Sequence, residues 1–463
     1  MRRLRDNVAS VLVATVAAAF GVLILRVIGV LDIALRADDV TGDSDTVTLL
    51  LRLVAIVFLV VAVYVSAIVT ANTFATVIAG RTRTIALLRL LGSSASAQRR
   101  AVAREGLLVG LAGSALGFLV GTGAAAALTA IAVAAGWLPD AYYGYVESSA
   151  IWPMVAVVLT TWLASWVGSR RVLTVTPLEA LGASGERNAA EATSRSRSVG
   201  AVVLLSIGGA LLLLSLLAGL VSPLGVLIGL VGGVISFAGV IVGATRVMPP
   251  ALRLVGRALG NGPAARLAAE NALRYPERSS RTTIGLVIGV ALLTTFGVGT
   301  ASFEQLVRSA QATQPDVYQG IDEMLNAVTA IFGVLIGFSA LIAAIGMVNN
   351  LSLSVLQRTR ELGLLRALGF TGSQIRRMIL AESAQLTAAA VLVGVALGVT
   401  YGWVGAQSLL GAINGSPGLV APGMPWELLG IIAVSAAVLT WAASVAPSRR
   451  ATAVSPVAAL AVD

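Results

Sequence analysis

The chain has 463 residues, 57% hydrophobic and 12% charged, with a mean hydropathy of +0.91; a soluble domain carries about 25% charged residues, so this composition offers too little polar surface for one. All 32 basic residues are arginine, cysteine and histidine are absent, and the formal net charge is +10. Those absences exclude thiol and histidine-zinc sites, a Ser-His-Asp triad, a disulfide framework and a phosphate loop built on lysine.

The apolar stretches predict an all-α polytopic membrane protein of about ten transmembrane helices. In chain order the spans fall at about 8–30, 47–78, 105–136, 150–168, 199–221, 224–245, 282–301, 325–350, 382–405 and 427–446. The opening Met1-Arg2-Arg3-Leu4-Arg5 leads into a run with no evident cleavage site, and is read as a retained first span. Ten spans put both termini on one side, and arginine placement makes that side cytoplasmic. All arginines but Arg26, Arg36, Arg52 and Arg308 fall in 1–7, 79–104, 169–198, 246–281, 351–381 and 447–463. Arg26 and Arg52 lie near span ends, from which they are expected to snorkel. This placement accounts for the positive charge without any nucleic-acid partner.

Glycine ladders mark close helix packing in three spans: Gly113, Gly117 and Gly121, then Gly225, Gly229 and Gly233, then Gly394, Gly398 and Gly402. In 250–276, Leu252, Val255 and Leu259 recur at helical spacing, with Arg253, Arg257 and Arg266 between or after them. That pattern predicts a helix on the cytoplasmic surface. Span eight runs without proline from about Asp322 to Arg358, roughly 50 Å at 1.5 Å per residue, and reads as a stalk. Asn349 and Asn350 near its end are placed for interhelical hydrogen bonds. No acid sits clearly mid-span, which disfavours proton coupling.

An internal repeat organises the chain. Residues 81–105 (RTRTIALLRLLGSSASAQRRAVARE) and 358–382 (RTRELGLLRALGFTGSQIRRMILAE) share 12 of 25 positions at an offset of 277. A second pair, 161–181 and 440–460, repeats Thr-Trp, Ser-Arg-Arg and a later proline. The layout is a first four-span unit (1–182), a cytoplasmic linker (183–198) and two linker spans (199–245). A cytoplasmic amphipathic segment (246–281) and a second four-span unit (282–463) follow, parallel to the first. In the repeated loop Leu87, Leu88 and Leu91 share a helical face, while Arg81, Arg83 and Arg89 lie largely off it. Gly92 and Gly369 are placed as left-handed C-caps, and Ser96 and Ser373 as N-caps of the next helix. Two such helices suit docking to a dimeric partner.

These loops resemble the signature of the FtsX-like permease family, which includes macrolide-exporter-type and lipoprotein-releasing permeases. The Ser-Arg-Arg closings and the stretch AAENALRYPERSSRTT (268–283) resemble it too. The likeness covers essentially the whole chain, in the ten-span form with two permease units. It implies the transmembrane subunit of an ATP-driven ABC transporter in the bacterial cell membrane, handling a hydrophobic or amphipathic substrate. ATP and Mg2+ would be bound only by a separate ABC-type ATPase, in two copies, with no catalytic, metal or cofactor site in this chain. The resemblance carries the coupling role to Arg81, Arg83, Leu87, Leu88, Arg89 and Gly92, and to Arg358, Arg360, Glu361, Leu364, Leu365, Arg366 and Gly369. Thr84 stands opposite Glu361, so the two contacts are expected to be unequal. Family members commonly carry a large external domain between the first two spans of a unit; 31–46 and 302–324 are too short for one. Two other readings stay open: a non-transporting regulator passing ATPase motion to an extracytoplasmic protein, and an ATP-independent secondary transporter.

Overall fold

The computed structural model describes residues 8–36, 82–136, 150–170, 195–258, 276–313, 369–412 and 418–453, with scattered residues in 49–74, 143, 270–274 and 329–341. Ten helices organise the described residues: α1 Val8–Arg36, α2 Thr82–Leu90, α3 Ala95–Ala134, α4 Ile151–Gly168 and α5 Arg195–Gly219; then α6 Gly225–Val242, α7 Ala244–Ala258, α8 Pro276–Thr313, α9 Gly372–Leu410 and α10 Trp426–Ala453. No strand occurs among the described residues, and seven helices are long and apolar enough to cross a bilayer. The protein is an all-α polytopic membrane protein. Most of span eight, with Asn349 and Asn350, lies outside the described residues.

The chain divides into two compact units, Met1–Gly185 and Glu186–Asp463. In the first, α3 lies along α1. A Cβ on Gly117 would run into Ala18 Cβ, Thr15 O and Ala19 N, and one on Gly121 into Ala19 O and Val22 Cβ. In the second unit α9 lies along α8 in the same way. A Cβ on Gly394 would meet Val290 Cβ and Ala291 N, and one on Gly398 would meet Ala291 O and Thr294 Cβ. The same atoms of the facing helix recur, so α8 is the counterpart of α1. Each ladder has a fourth rung of alanine at opposite ends, Ala125 after Gly121 and Ala390 before Gly394, both buried. A constant four-residue spacing follows the i±4 ridge of a helix, which lets two backbones close on each other without side chains between them.

The α5–α6 pair is built differently. Gly225, Gly229, Gly232, Ser236 and Gly239 of α6, with Gly243 just after it, alternate four- and three-residue steps, and their missing or small side chains admit α5 at Gly219, Ser215, Leu211, Gly208, Leu205 and Ala201. That is a heptad seam of small residues, the spacing of left-handed packing. The expected rung at Gly233 is corrected here, since nothing lies within 4 Å of where its Cβ would sit and Gly232 takes its place. Eight residues of α-helix overshoot two turns by about 80°, seven undershoot by only about 20°. The pair docks on α9 within the second unit, where Ser236 Oγ and Tyr401 Oη lie 2.9 Å apart and Leu212 and Leu216 pack on Val404.

Two further expectations change. Arg26, expected at the interface as an exposed side chain, is 8% exposed and buried in protein. Helix α7 begins earlier than the sequence suggested and buries its apolar side in protein. Met248, Ala251 and Leu252 join Val287, Val290, Ala389 and Ile432 in one core. The loop before α10 is strapped to α8 and α9. Trp403 Nε1 donates to Val420 O at 2.7 Å, Gln407 Nε2 to Gly418 O at 2.6 Å, and the Gly423 N–H to Ser302 Oγ at 2.9 Å.

Candidate functional site

The repeated loop folds as an elbow. Helix α2 is nine residues long and ends where the Ser93 N–H reaches back to Leu88 O at 3.0 Å. Gly92 takes φ +94° there, and Gly369 takes φ +95° at the matching point of the second unit. Only glycine enters that region freely, so its placement after the last leucine turns the chain at a fixed position.

The next helix starts at once. Ser94 caps α3 by accepting the Ala97 N–H at 3.1 Å, with Gln98 Nε2 bonding Ser93 Oγ at 2.8 Å. Thr371 caps α9 in a reciprocal box with Gln374, accepting its N–H at 3.3 Å and donating its own N–H to Gln374 Oε1 at 2.9 Å. The caps are therefore Ser94 and Thr371, not Ser96 and Ser373. The tight glycine turn leaves no room for two more residues before the helix.

Helix α2 buries Ile85 and Ala86 and turns its other side outward. Leu87 is 49% exposed, Leu88 38%, Leu90 52% and Leu91 85%. Of the remaining candidates, Arg83 and Arg89 lie on α2 and Gly369 on the second turn, while Arg81, Arg358, Arg360, Glu361, Leu364, Leu365 and Arg366 lie outside the described residues. The elbow also sits away from the apolar part of α3. Ala95–Glu105 carries Arg99, Arg100, Arg104 and Glu105 before the apolar run opens at Gly106. At 1.5 Å per residue this sets Leu91 roughly 15 Å or more beyond that run.

One contact at this site is not evident from the repeat alone. The Arg99 guanidinium stacks 3.9 Å from the Trp166 ring centroid and donates to Trp166 O at 3.2 Å. This ties the start of α3 to the end of α4. The second unit has Val445 in place of Trp166, and Arg376 bonds only Gly372 O of its own helix, at 3.3 Å, among the described residues. The clue was the difference between TWLASW and TWAASV in otherwise matching segments.

Residues 56–177 and 333–456 each match the family described as FtsX-like permease C-terminal. An ABC transporter permease of Bacillus subtilis, YknZ, is 35% identical over 134 residues, 27% of this chain and 31% of the relative. The pyoverdine export ATP-binding/permease protein PvdT of Pseudomonas aeruginosa is 33% identical over 138 residues, 29% of this chain and 19% of the relative. The macrolide export ATP-binding/permease protein MacB of Hyphomonas neptunium is 30% identical over 148 residues, 32% of this chain and 21% of the relative. The chain thus covers less than a third of the length of each of these relatives. The two family matches begin 277 residues apart and end 279 apart, the offsets of the two repeated motifs. Matched twice in one register and over more than half its length, the chain belongs to the FtsX-like permease family.

Proposed function

We propose that this chain is the permease subunit of an ATP-driven ABC transporter in the bacterial cell membrane, with both termini in the cytoplasm. It exports or extracts a hydrophobic or amphipathic substrate, driven by a separate ABC-type ATPase. The names of two relatives, each an export ATP-binding/permease protein, support this class of activity.

The carrying observation is the outward leucine face of α2. Leu87, Leu88 and Leu91 stand in the open on a segment too far from the apolar run of α3 for lipid tails to cover them. Burying one such side chain is worth about 1.5–3 kcal/mol. An exposed apolar cluster of this kind marks an interaction site. The ATPase would dock there and on the equivalent loop at 358–369, one copy on each. Nucleotide-driven closure would press on α2. Because α3 is a single 40-residue helix locked backbone to backbone on α1, the push would travel along it as a rigid displacement.

The test is co-purification of the full chain with its ABC-type ATPase. Leu88→Asp with Leu91→Asp is expected to lower captured ATPase at least tenfold with membrane levels of the permease unchanged. Undiminished capture would remove the elbow from the mechanism. A transporting complex must also move a hydrophobic probe across proteoliposomes on ATP addition; a regulator would hydrolyse ATP without doing so.

A further inference from the structure

Helix α7 follows α6 after one residue, Gly243, so it starts at the membrane boundary. Two hydrogen bonds and a sulfur contact then fix its course. Ser280 Oγ donates to Ala244 O at 3.0 Å and Gln385 Nε2 to Leu252 O at 2.9 Å, while Thr283 Oγ1, which donates to Ser279 O of its own helix at 2.8 Å, lies 3.2 Å from Met248 Sδ. Thr283 opens the apolar stretch of α8, Thr283–Ala312, and Gln385 lies two turns after Arg377 and the charged start of α9. The anchor points on α7, from Ala244 to Leu252, thus lie close to the level where apolar helix begins. The helix lies across the cytoplasmic ends of α8 and α9.

An interfacial helix ordinarily turns its apolar face to acyl chains. Here that face is occupied by protein, with Leu252 fully buried and Met248 nearly so. The other side carries Arg246, Arg253 and Arg257 at spacings of seven and four, which one helical face holds together. All three are exposed, as are Pro250 and Leu254 between them. Among the described residues none of the three has a carboxylate partner. Cations held at headgroup level meet anionic lipid phosphates as their nearest counter-charge.

We propose that the Arg246–Arg253–Arg257 row binds anionic phospholipid headgroups of the cytoplasmic leaflet. Lipid charge would thereby load the helix that clamps α8 to α9. One arginine near an anionic surface contributes roughly fivefold in affinity, and three together about a hundredfold.

The chain has no cysteine, so Leu254→Cys accepts a single fluorophore within the row. The full-length labelled protein is placed in phosphatidylcholine nanodiscs containing a minor fraction of spin-labelled lipid, either phosphatidylglycerol or phosphatidylcholine. Quenching is expected to be several-fold stronger with the phosphatidylglycerol probe and to fall with added salt. The preference should vanish in Arg246→Gln/Arg253→Gln/Arg257→Gln, since glutamine keeps the helix propensity and loses the charge. Arg253→Gln alone should reduce it several-fold, which keeps the test open if the triple variant folds poorly. Equal quenching by both lipids in the parent, or a preference that survives removal of the charges, overturns the proposal. So does the absence of quenching by either lipid, which would turn the row toward a protein in the cytosol.

Discussion

At the scale of single residues, the matched positions of the two units make controlled comparisons. Nothing lies within 4 Å of where a Cβ on Gly92 would sit, so its requirement is one of backbone conformation only. Gly92→Ala should cost about 1 kcal/mol in thermal unfolding, and Gly92→Asn less than Gly92→Val, because asparagine tolerates the left-handed region. Thr161 and Thr440 occupy equivalent places in α4 and α10. Thr440 Oγ1 bonds Thr387 Oγ1 at 2.8 Å, whereas Thr161 faces Gly110 and its buried hydroxyl has no partner among the described residues. Thr440→Val should therefore destabilise by about 1 kcal/mol, and Thr161→Val should be neutral or stabilising, as read by unfolding in detergent.

At the scale of helices, stability rests on backbone approach. Gly117→Leu should drive α3 off α1 and cost at least about 1–3 kcal/mol. Gly123→Leu, on an open side of the same helix, should be tolerated. These ladders were legible in sequence because their step is a constant four residues. The α6 seam was not, because its alternating steps and its serine break any single-spacing pattern. The glycine turns were legible from the leucine run that precedes them. Their N-caps were not, since Ser93, Ser94 and Ser96 all offer a hydroxyl and only the tightness of the turn selects one. Amphipathicity announced a face on α7 but not its cover, which came from α8 and α9, more than twenty residues downstream.

At the scale of the whole molecule, the two units repeat a plan with a difference beside the elbow. The first ties the start of α3 to the end of α4 through Arg99 on Trp166; the second has Val445 at the position of that tryptophan. Arg99→Ala should therefore loosen the first elbow, seen as faster hydrogen exchange at the start of α3, while Arg376→Ala leaves the start of α9 little changed. On the proposed topology, with both termini in the cytoplasm, the elbows are cytoplasmic and the loop before α10 is external. A membrane-impermeant maleimide is expected to label Leu419→Cys, 64% exposed, on intact cells, and Leu91→Cys only after permeabilisation. The central claim is that the outward leucines of the elbow receive an ABC-type ATPase. Its most direct test is a photo-crosslinker placed at Leu91 of the full chain in native membranes. The account predicts a nucleotide-sensitive adduct with the ATPase; an adduct with lipid alone, or none under any nucleotide condition, would contradict it.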